Sequence, residues 1–424
     1  MRHLFWKCSL FPSHGKIDRL TRLFGLNDLG FRTNFGAMAL DPLWDSDQSW
    51  CAEGRNPFSL YHSASLGLVE KSRAREGAVT QEEVKMKKTI LLGALTVAGL
   101  AATAASASTL DDVRARGKLN CGVTTGLAGF AAPDANGVWQ GFDVDMCRAV
   151  AAAVLGDPMA VEFVPTTGQT RFTALASGEV DMLARNTTWT FSRDVDLKFE
   201  FAGTNYYDGQ GFMVPKALGV TSAKDLDGAT VCIQTGTTTE LNLADFFRSN
   251  NISYEPVPIE TNAEGLQQYG AGACDAYTTD ASGLAASRAT FENPADHIIL
   301  PEIISKEPLA PLVRHGDNQW GDIVRWTLNA LITAEELGVT SANVAEHAAA
   351  AGDNPEVNRL LGTEGELGAM LGLSADWAVK AIAAGGNYGE SFERNIGSST
   401  PIGLARGLNA LWTNGGLLYS PPFR

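Results

Sequence analysis

Apolar and polar positions along residues 110–184 follow two different spacings, which predict strands that alternate with helices. Short apolar runs indicate strands, and segments whose apolar positions recur every three or four residues indicate helices. The predicted strands are residues 119–124, 161–165 and 180–184, and the predicted helices are residues 110–118, 143–155 and 170–177. This alternation is typical of a parallel α/β sheet, whose ligands bind at the carboxyl ends of the strands. We therefore expect the loops at Thr124, Thr167 and Thr188 to share one edge.

The same pattern occurs a second time after a segment rich in glycine and aromatic residues at 203–211. Its predicted strands end at Gln234 and Asp280, and its predicted helices are residues 240–247, 263–269 and 282–288. Residues 298–313 are predicted to cross back to the first half. A long amphipathic helix is predicted at 320–337, and the tail from Asn354 is predicted to be helical with glycines between its helices. The pattern predicts an α/β fold of two lobes joined by crossing segments.

A secretory signal peptide is predicted at residues 86–107, inside the chain. Two lysines precede an apolar run that begins at Ile90, and the small residues Ala105 and Ala107 fit cleavage after Ala107. The apolar run is shorter than the roughly 18 to 20 residues that span a bilayer, which argues against an uncleaved anchor. Residues 1–85 are then a mis-called or unstructured N-terminal extension, and we expect the protein in the periplasm.

Composition and charge agree with an exported globular protein. The chain has 424 residues, 45% of them hydrophobic, which is enough for more than one core. After Ala107 it carries 20 basic and 38 acidic residues, a net charge of −18. So acidic a body argues against nucleic acid or an anionic membrane as a partner.

Four cysteines follow the predicted signal, at Cys121, Cys147, Cys232 and Cys274. An even number in an oxidising compartment indicates two disulfides, although four cysteines allow three pairings. Closeness along the chain favours Cys121 with Cys147 and Cys232 with Cys274. No CxxC spacing indicates a zinc site, and we expect neither a metal nor a cofactor.

Arg193 and Thr188 are candidate ligands for a carboxylate. They follow the strand at 180–184, and a planar guanidinium beside hydroxyl and amide donors matches the two oxygens of a carboxylate. The alternative is that Arg193 pairs with a neighbouring aspartate at the surface.

Two further positions carry candidate chemistry in the second half. Thr237 and Glu240 have capping-box spacing, so the helix start there offers free amides for an anion or merely closes its own helix. Asp280 ends a predicted strand, where an aspartate usually caps the next helix. If Asp280 faced Arg193 across a cleft, it would bind a cation.

Six motifs in this order and spacing carry a family resemblance. They are residues 141–145 (GFDVD), 171–181 (RFTALASGEVD), 186–193 (NTTWTFSR), 225–228 (DLDG), 234–238 (QTGTT) and 275–280 (DAYTTD). From about Leu110 to its end the chain resembles the extracellular solute-binding proteins, family 3, which are receptor subunits of ATP-driven importers for polar amino acids. Within that family it is similar to the long receptors for general L-amino acids or for glutamate, glutamine, aspartate and asparagine.

The resemblance implies a two-lobed periplasmic-binding-protein-like fold of type II, with parallel or mixed sheets, flanking helices and a hinge. Residues 108–207 would begin the first lobe, residues 208–303 would form the second, and residues 304–424 would return to the first with a C-terminal helical extension. It also implies a monomer that closes on a free L-amino acid and delivers it to the permease subunits of an inner-membrane ABC importer.

Individual residues match the binding positions of the family. Arg193 matches the arginine that holds the α-carboxylate, with Thr188 and the backbone at Asn186 on the same side. The other matches are the helix-start amides of Thr237 and Thr238 and, for the α-ammonium, the carboxylate of Asp280.

The other end of the expected pocket departs from the glutamine-specific members. Thr124 replaces an aspartate and Gln234 replaces a lysine, which implies a less charged pocket for several neutral and polar ligands. Arg171 and Arg185 either receive an acidic ligand side chain or serve structural ion pairs. Phe130, after a glycine-rich loop, either stacks on the ligand as a lid or seals the core.

Two other functions use the same fold and stay open at this point. A periplasmic dehydratase of the prephenate or arogenate type would need a general acid or base in the cleft, for which Asp280 and Glu240 are the nearby residues. A sensor or interaction protein would have kept the fold and lost the ligand. The presence of both Arg193 and Asp280 argues against this alternative. The expectation is a receptor without catalysis.

Overall fold

The structure is a computed structural model, and it describes residues 108–424. The expected extension at residues 1–85 and the expected signal at residues 86–107 lie outside the described residues. No helix within residues 108–424 combines the length and the apolar character that a membrane span needs.

Residues 108–424 form fourteen strands and twelve α-helices, and the bounds of each follow in chain order. The strands are β1 (Leu119–Thr124), β2 (Ala132–Pro133), β3 (Trp139–Gln140), β4 (Val161–Thr166), β5 (Met182–Leu183), β6 (Phe199–Phe201), β7 (Tyr206–Asp208), β8 (Gln210–Pro215), β9 (Ala229–Gln234), β10 (Tyr254–Ile259), β11 (Ala276–Asp280), β12 (His297–Ile299), β13 (Glu307–Leu309) and β14 (Leu312–Arg314). The helices are α1 (Thr109–Arg116), α2 (Phe142–Leu155), α3 (Arg171–Ser177), α4 (Thr238–Asn250), α5 (Asn262–Gly270), α6 (Ala281–Arg288), α7 (Asn318–Glu336), α8 (Val344–Ala349), α9 (Pro355–Leu360), α10 (Leu367–Leu371), α11 (Trp377–Gly385) and α12 (Tyr388–Asn395).

The first sheet has the strand order β4-β1-β5-β14-β6. Strand β1 pairs in parallel with β4 and β5, whereas β14 is antiparallel to β5 and β6. The predicted strand at residues 180–184 is shorter than expected, since only Met182–Leu183 forms β5. The backbone then turns at Asn186, whose φ is 42°.

The second sheet has the strand order β10-β9-β11-β8-β12. Strand β9 pairs in parallel with β10 and β11, and β8 is antiparallel to β11 and β12. Both sheets are therefore mixed, as the resemblance allows, whereas the α/β pattern alone predicts parallel strands. In each sheet the carboxyl ends of three parallel strands share one edge, which is where a ligand is expected.

Two connecting strands, β7 and β13, carry the chain between the sheets. They pair with each other antiparallel, and Asp208 of β7 lies directly opposite Glu307 of β13. Strand β13 also forms an isolated bridge from Leu309 to Thr188. The crossing segments of the sequence are thus a two-stranded ribbon that contacts the binding edge of the first sheet.

Two disulfides join Cys121 to Cys147 and Cys232 to Cys274. This is the pairing that closeness along the chain favours. The first disulfide links β1 to α2, and the second links β9 to the turn before β11. Each one therefore ties a central strand of its sheet to a neighbouring segment.

The C-terminal helices pack on α2 and α7, the helices that contact β1 and β14 of the first sheet. Helix α11 packs on α2, and α12 packs on α2 and α7. The Asp145 carboxylate of α2 accepts hydrogen bonds from Ser391 Oγ (2.7 Å), Arg394 Nη2 (2.5 Å) and Asn395 Nδ2 (2.7 Å) of α12. One buried acidic residue therefore fixes the C-terminal segment to the body of the fold.

Candidate functional site

A small cleft lies where the binding edges of the two sheets face each other. Its lining residues come from loops and helix starts that follow the parallel strands. From the first sheet these are Thr124, Leu127, Arg171, Arg185, Asn186 and Thr188. From the second sheet these are Gln234, Thr237, Thr238, Thr239, Asn262, Thr279, Asp280 and Gly283.

The two walls of the cleft are joined directly by several hydrogen bonds, among them one between the hydroxyls of Thr188 and Thr238 (3.3 Å). Gln169 Nε2 donates to Thr235 Oγ1 (2.9 Å), Arg171 Nη2 donates to the Gly236 carbonyl (3.4 Å), and Asn262 Nδ2 donates to the Gly126 carbonyl (3.4 Å). The structure therefore has the walls in a closed arrangement.

Three arginines supply positive charge at the first-sheet wall. Arg171 and Arg185 line the cleft, and Arg185 Nε donates to the Thr166 carbonyl (3.3 Å). Burial and the neighbouring guanidiniums lower the pKa of Arg171 well below its usual value. Burial also lowers the pKa of Arg185, to about 10. These guanidiniums are poorly solvated, which favours pairing with an anion.

Arg193 occupies a different place from the other two arginines. It is buried and is not among the residues that line the cleft. Its Nη1 donates to the Thr188 carbonyl at 2.9 Å, and its guanidinium lies over the Phe172 ring. The surface pair with a neighbouring aspartate, which the sequence left open, is therefore not the arrangement found. Arg193 places its charge directly behind Thr188.

Negative charge comes from the second-sheet wall and from β7. Asp280 lines the cleft at the end of β11. Burial and the nearby carboxyl groups of Asp208 and Glu307 raise the pKa of Asp280 well above its usual value. Burial also raises the pKa of Asp208 to about 6, although its carboxylate accepts hydrogen bonds from Ser282 and Gly209. A ligand ammonium would stabilise the ionised form of Asp280.

Glu307 is a buried acid at the cleft that the sequence did not single out. Its carboxylate accepts hydrogen bonds from the hydroxyls of Thr188 and Thr238 and from the Asn242 amide, which places it between the two walls. Only 2% of this side chain is exposed.

The start of α4 differs from the capping box that the sequence predicts. Thr237 is the N-cap residue, but its hydroxyl donates to the Gln234 carbonyl (2.7 Å) and does not cap the helix. Glu240 accepts from the Gly236 amide (2.7 Å). The first amides of α4 therefore have no side-chain cap, which leaves the helix start suited to an anion.

Phe130 is not a lid over the cleft. It is only 1% exposed and meets the rings of Phe142 and Tyr206 edge to face. Because three aromatic rings fill this part of the core, the side chain points away from the ligand region, and the structure corrects the lid interpretation. Leu127, from the same glycine-rich loop, lines the cleft instead.

A second group of polar atoms lies just behind the first-sheet wall. Asp143 Oδ2, Asn186 Oδ1 and Arg171 Nε are buried atoms without a hydrogen-bond partner within the described residues. Burial raises the pKa of Asp143 to about 7, and nearby Arg185 opposes that rise. Unpaired buried polar atoms are rare in folded proteins, and these three are grouped at one wall of the cleft.

The arrangement suits recognition of a small molecule that carries both signs of charge. Guanidiniums and free helix amides on some sides can take a carboxylate, while Asp280 on another can take an ammonium group. No group of His, Cys, Asp and Glu side chains within residues 108–424 has the geometry of a metal site.

Known proteins are similar to this chain in sequence and in fold. A sequence profile of the bacterial extracellular solute-binding proteins, family 3, matches residues 119–342. The glutamate/glutamine/aspartate/asparagine-binding protein BztA of Rhodobacter capsulatus is 69% identical over 339 residues, which are 80% of this chain and 100% of that protein. The general L-amino acid-binding periplasmic protein AapJ of Rhizobium johnstonii is 59% identical over 343 residues, with 80% and 100% covered.

A solved structure agrees with these relatives. The periplasmic binding protein of an ABC transporter from Brucella ovis, with glutathione bound, is 58% identical and superposes with a TM-score of 0.73. The match covers 75% of this chain and 100% of that one. The predicted periplasmic-binding-protein fold is therefore confirmed.

Proposed function

Because the chain belongs to the bacterial extracellular solute-binding proteins, family 3, we propose that its cleft captures L-amino acids in the periplasm and presents them to an ABC importer. The ligands would be polar and acidic amino acids and their amides. The protein would be a monomer, and its partners would be the permease subunits of the inner membrane. Cleavage after Ala107 would release it from its signal peptide.

One observation carries the proposal: side chains of opposite sign from two separate sheets meet in one cleft. Arg171 and Arg185 lie on one wall and Asp280 on the other. An amino acid bears an anion and a cation on the same carbon, so it binds fully only when both walls are together. Its stronger interaction with the closed arrangement then drives closure. Binding of this kind requires no chemical step.

The proposed closure needs two lobes. We assign residues 108–207 and 304–424 to one lobe and residues 208–303 to the other. The connecting strands β7 and β13 would then be the hinge. Within the site, the three arginines and the uncapped start of α4 would hold the α-carboxylate, with Arg193 acting from behind Thr188. Asp280 would hold the α-ammonium, and the side chain of the bound amino acid would point toward Thr124 and Gln234.

Glutathione is a second ligand that a specific observation favours. The Brucella ovis protein, 58% identical to this chain, has glutathione bound. The γ-glutamyl end of glutathione keeps a free α-carboxylate and α-ammonium on one carbon. The same charged groups of the cleft could therefore hold that end, with the rest of the tripeptide beyond it.

Isothermal titration of residues 108–424 against glutamate, glutamine, aspartate, asparagine and glutathione tests the proposal. We expect tight one-to-one binding of at least one of them and no change in the ligand on long incubation. The α-methyl ester and the N-acetyl derivative of the tightest ligand should each bind at least ~10-fold more weakly, a loss of about 1.4 kcal/mol or more.

The derivatives separate the two charged ends. Replacing Asp280 by Asn should weaken binding of the free amino acid. It should hardly change the binding of the N-acetyl derivative, which is already weak. Esters that bind as well as the free acids would contradict the assignment of the arginines, and release of a new product from any of these ligands would favour an enzyme.

A further inference from the structure

Glu307 makes the most extensive set of side-chain contacts between the walls of the cleft. Its Oε2 accepts from the Thr188 hydroxyl and from the Thr238 hydroxyl (3.0 Å). Its Oε1 accepts from Asn242 Nδ2 (2.6 Å) and from Ser305 Oγ (2.7 Å). One carboxylate on a connecting strand therefore joins the loop after β5 of the first sheet to the first turns of α4 beside the second.

These contacts decide what the two threonines can offer to a ligand. A hydroxyl has one proton to donate. Thr188 and Thr238 each reach Glu307, and their own oxygens lie 3.3 Å apart, so their protons are used by Glu307 or by each other. Toward the cleft these hydroxyls then present acceptor lone pairs only. The sequence-based expectation that the Thr188 hydroxyl donates to the ligand carboxylate is therefore not supported by this geometry.

The backbone amides beside these threonines remain as donors. Ala310 donates to the Thr187 carbonyl (3.0 Å) and Trp189 donates to the Pro308 carbonyl (2.8 Å). Thr188 lies between these two bonds, in the non-hydrogen-bonded position of the ladder, so its own N–H points away from β13. The first amides of α4 are also uncapped.

We propose that Glu307 is a positioning residue that holds the Thr188 amide and the start of α4 at the separation that one α-carboxylate can bridge. This inference rests on the proposed function. The negative charge of Glu307 itself repels a ligand carboxylate. The arginines offset this repulsion. Burial lowers the pKa of Arg193, and the attraction between its guanidinium and the nearby Glu307 carboxylate opposes that fall.

A carboxylate suits this position better than an amide. All four groups around Glu307 donate protons: two hydroxyls on one oxygen, and an amide and a hydroxyl on the other. In Glu307→Gln one of these oxygens becomes an NH₂ group that faces donors, so the variant keeps the size of the side chain and loses half of its acceptors.

The experiment compares Glu307→Ala, Glu307→Gln, Thr238→Val, Thr238→Ser and the double variant Glu307→Ala with Thr238→Val, using L-glutamine and L-glutamate as probes. We expect Glu307→Ala and Glu307→Gln to weaken binding ~10-fold or more, mainly through faster dissociation. Thr238→Val should weaken it as well, whereas Thr238→Ser keeps the hydroxyl and should weaken it less than Thr238→Val does.

The double variant is the decisive measurement. If Thr238 acts through Glu307, the double variant should bind no more weakly than Glu307→Ala alone. Additive losses would mean that the hydroxyl contacts the ligand independently, and they would overturn the proposal. Unchanged binding in both Glu307 variants would also overturn it.

Hydrogen exchange of the ligand-free protein keeps the inference separate from the proposed function. In Glu307→Ala the amides around Thr188 and those at the start of α4 should exchange faster together, while β10 and α11 stay protected. A parent protein that binds neither probe would contradict the proposed ligands only. Exchange that rises in neither segment would contradict the role of Glu307, whatever the ligand.

Discussion

At the scale of single residues, Asp143 is the clearest case of a side chain held under electrostatic stress. It lies in the first turn of α2, and only 3% of it is exposed. Burial raises its pKa from 3.8 to about 7, despite hydrogen bonds from Asn205 and the backbone of Asn186. The folded protein therefore binds this proton more tightly than the unfolded chain does.

Replacing Asp143 by Asn should stabilise the protein in a pH-dependent way. The penalty of the ionised carboxylate is absent below the unfolded pKa, grows as the pH rises from about 4 to 7, and is complete above the folded pKa. In denaturant titrations, the gain in the free energy of unfolding should be about 2–3 kcal/mol larger at pH 8 than at pH 5. The exposed Asp353→Asn serves as the control. Equal gains for Asp143→Asn at both pH values would contradict the burial effect.

Sequence reasoning found most of the cleft residues but not the acids on the connecting strands. Strand ends are visible in the sequence, so Thr124 and Thr188 could be placed at the edge of one sheet and Asp280 at the edge of the other. Glu307 and Asp208 were missed because they belong to crossing segments, which the pattern identified only as breaks. A carboxylate next to Pro308 inside an apolar crossing was the available signal. The prediction for Phe130 as a lid was wrong because the sequence does not distinguish a loop aromatic that faces the ligand from one that faces the core.

At the scale of elements, the packing of α12 on α2 depends on Asp145. A single oxygen of this side chain accepts three hydrogen bonds from α12, and Arg394 donates a further one to the Gly385 carbonyl at the end of α11. Ser391 is buried, whereas the head of Arg394 can reach water. Loss of Asp145 would thus leave buried donors on α12 without an acceptor.

Asp145→Ala should lower the free energy of unfolding by roughly 2–3 kcal/mol, the cost of unsatisfied buried donors. Amino-acid affinity should stay unchanged, since the contact lies away from the cleft. Chemical denaturation with parallel titration calorimetry measures both quantities, with Asp353→Ala as the matched surface variant. A loss of affinity in Asp145→Ala without a loss of stability would contradict this division.

Element bounds followed the sequence where local signals were strong and departed where tertiary contacts decided. Strand β1 matches its prediction residue for residue, and β9 ends at Gln234 as expected. Strand β5 came out shorter, because β14 pairs with it only at Leu183. The π-helical turn Ser192–Asp196 was not predicted, since nothing in its sequence distinguishes it from an ordinary turn.

At the scale of the whole molecule, the closed arrangement leaves no space at Gly168. A Cβ added there would lie 2.5 Å from the Thr235 carbonyl oxygen and 3.1 Å from Thr237 Cγ2 across the cleft. Real Cβ atoms do not approach a backbone oxygen so closely, so the walls would have to separate. An open arrangement would not feel this contact.

Gly168→Ala should therefore weaken ligand binding by about tenfold or more, roughly 1.4 kcal/mol, and leave the ligand-free melting temperature nearly unchanged. The control is Gly352→Ala, because a Cβ at Gly352 meets nothing within 4 Å. Calorimetric titration and thermal unfolding of both variants provide the comparison. Parent-like affinity in Gly168→Ala would show that ligand binding does not need these walls in contact.

The global organisation was accessible from sequence because the α/β pattern repeats on either side of a clear break. The relative placement of the sheets was not, because it depends on contacts such as Gln169 to Thr235 that join residues far apart in the chain. Such pairs leave no periodic trace in either segment.

The strand order of the first sheet also constrains the sequence of events during synthesis. Strand β14 lies between β5 and β6, yet it is made only after every strand of the second sheet. The chain is made and exported from its N-terminus, so β5 and β6 have unpaired edges until Arg314 has followed. The second sheet, encoded without interruption from Gln210 to Ile299, has no such delay. Nascent chains stopped before Leu312 would expose those edges to aggregation and to chaperones.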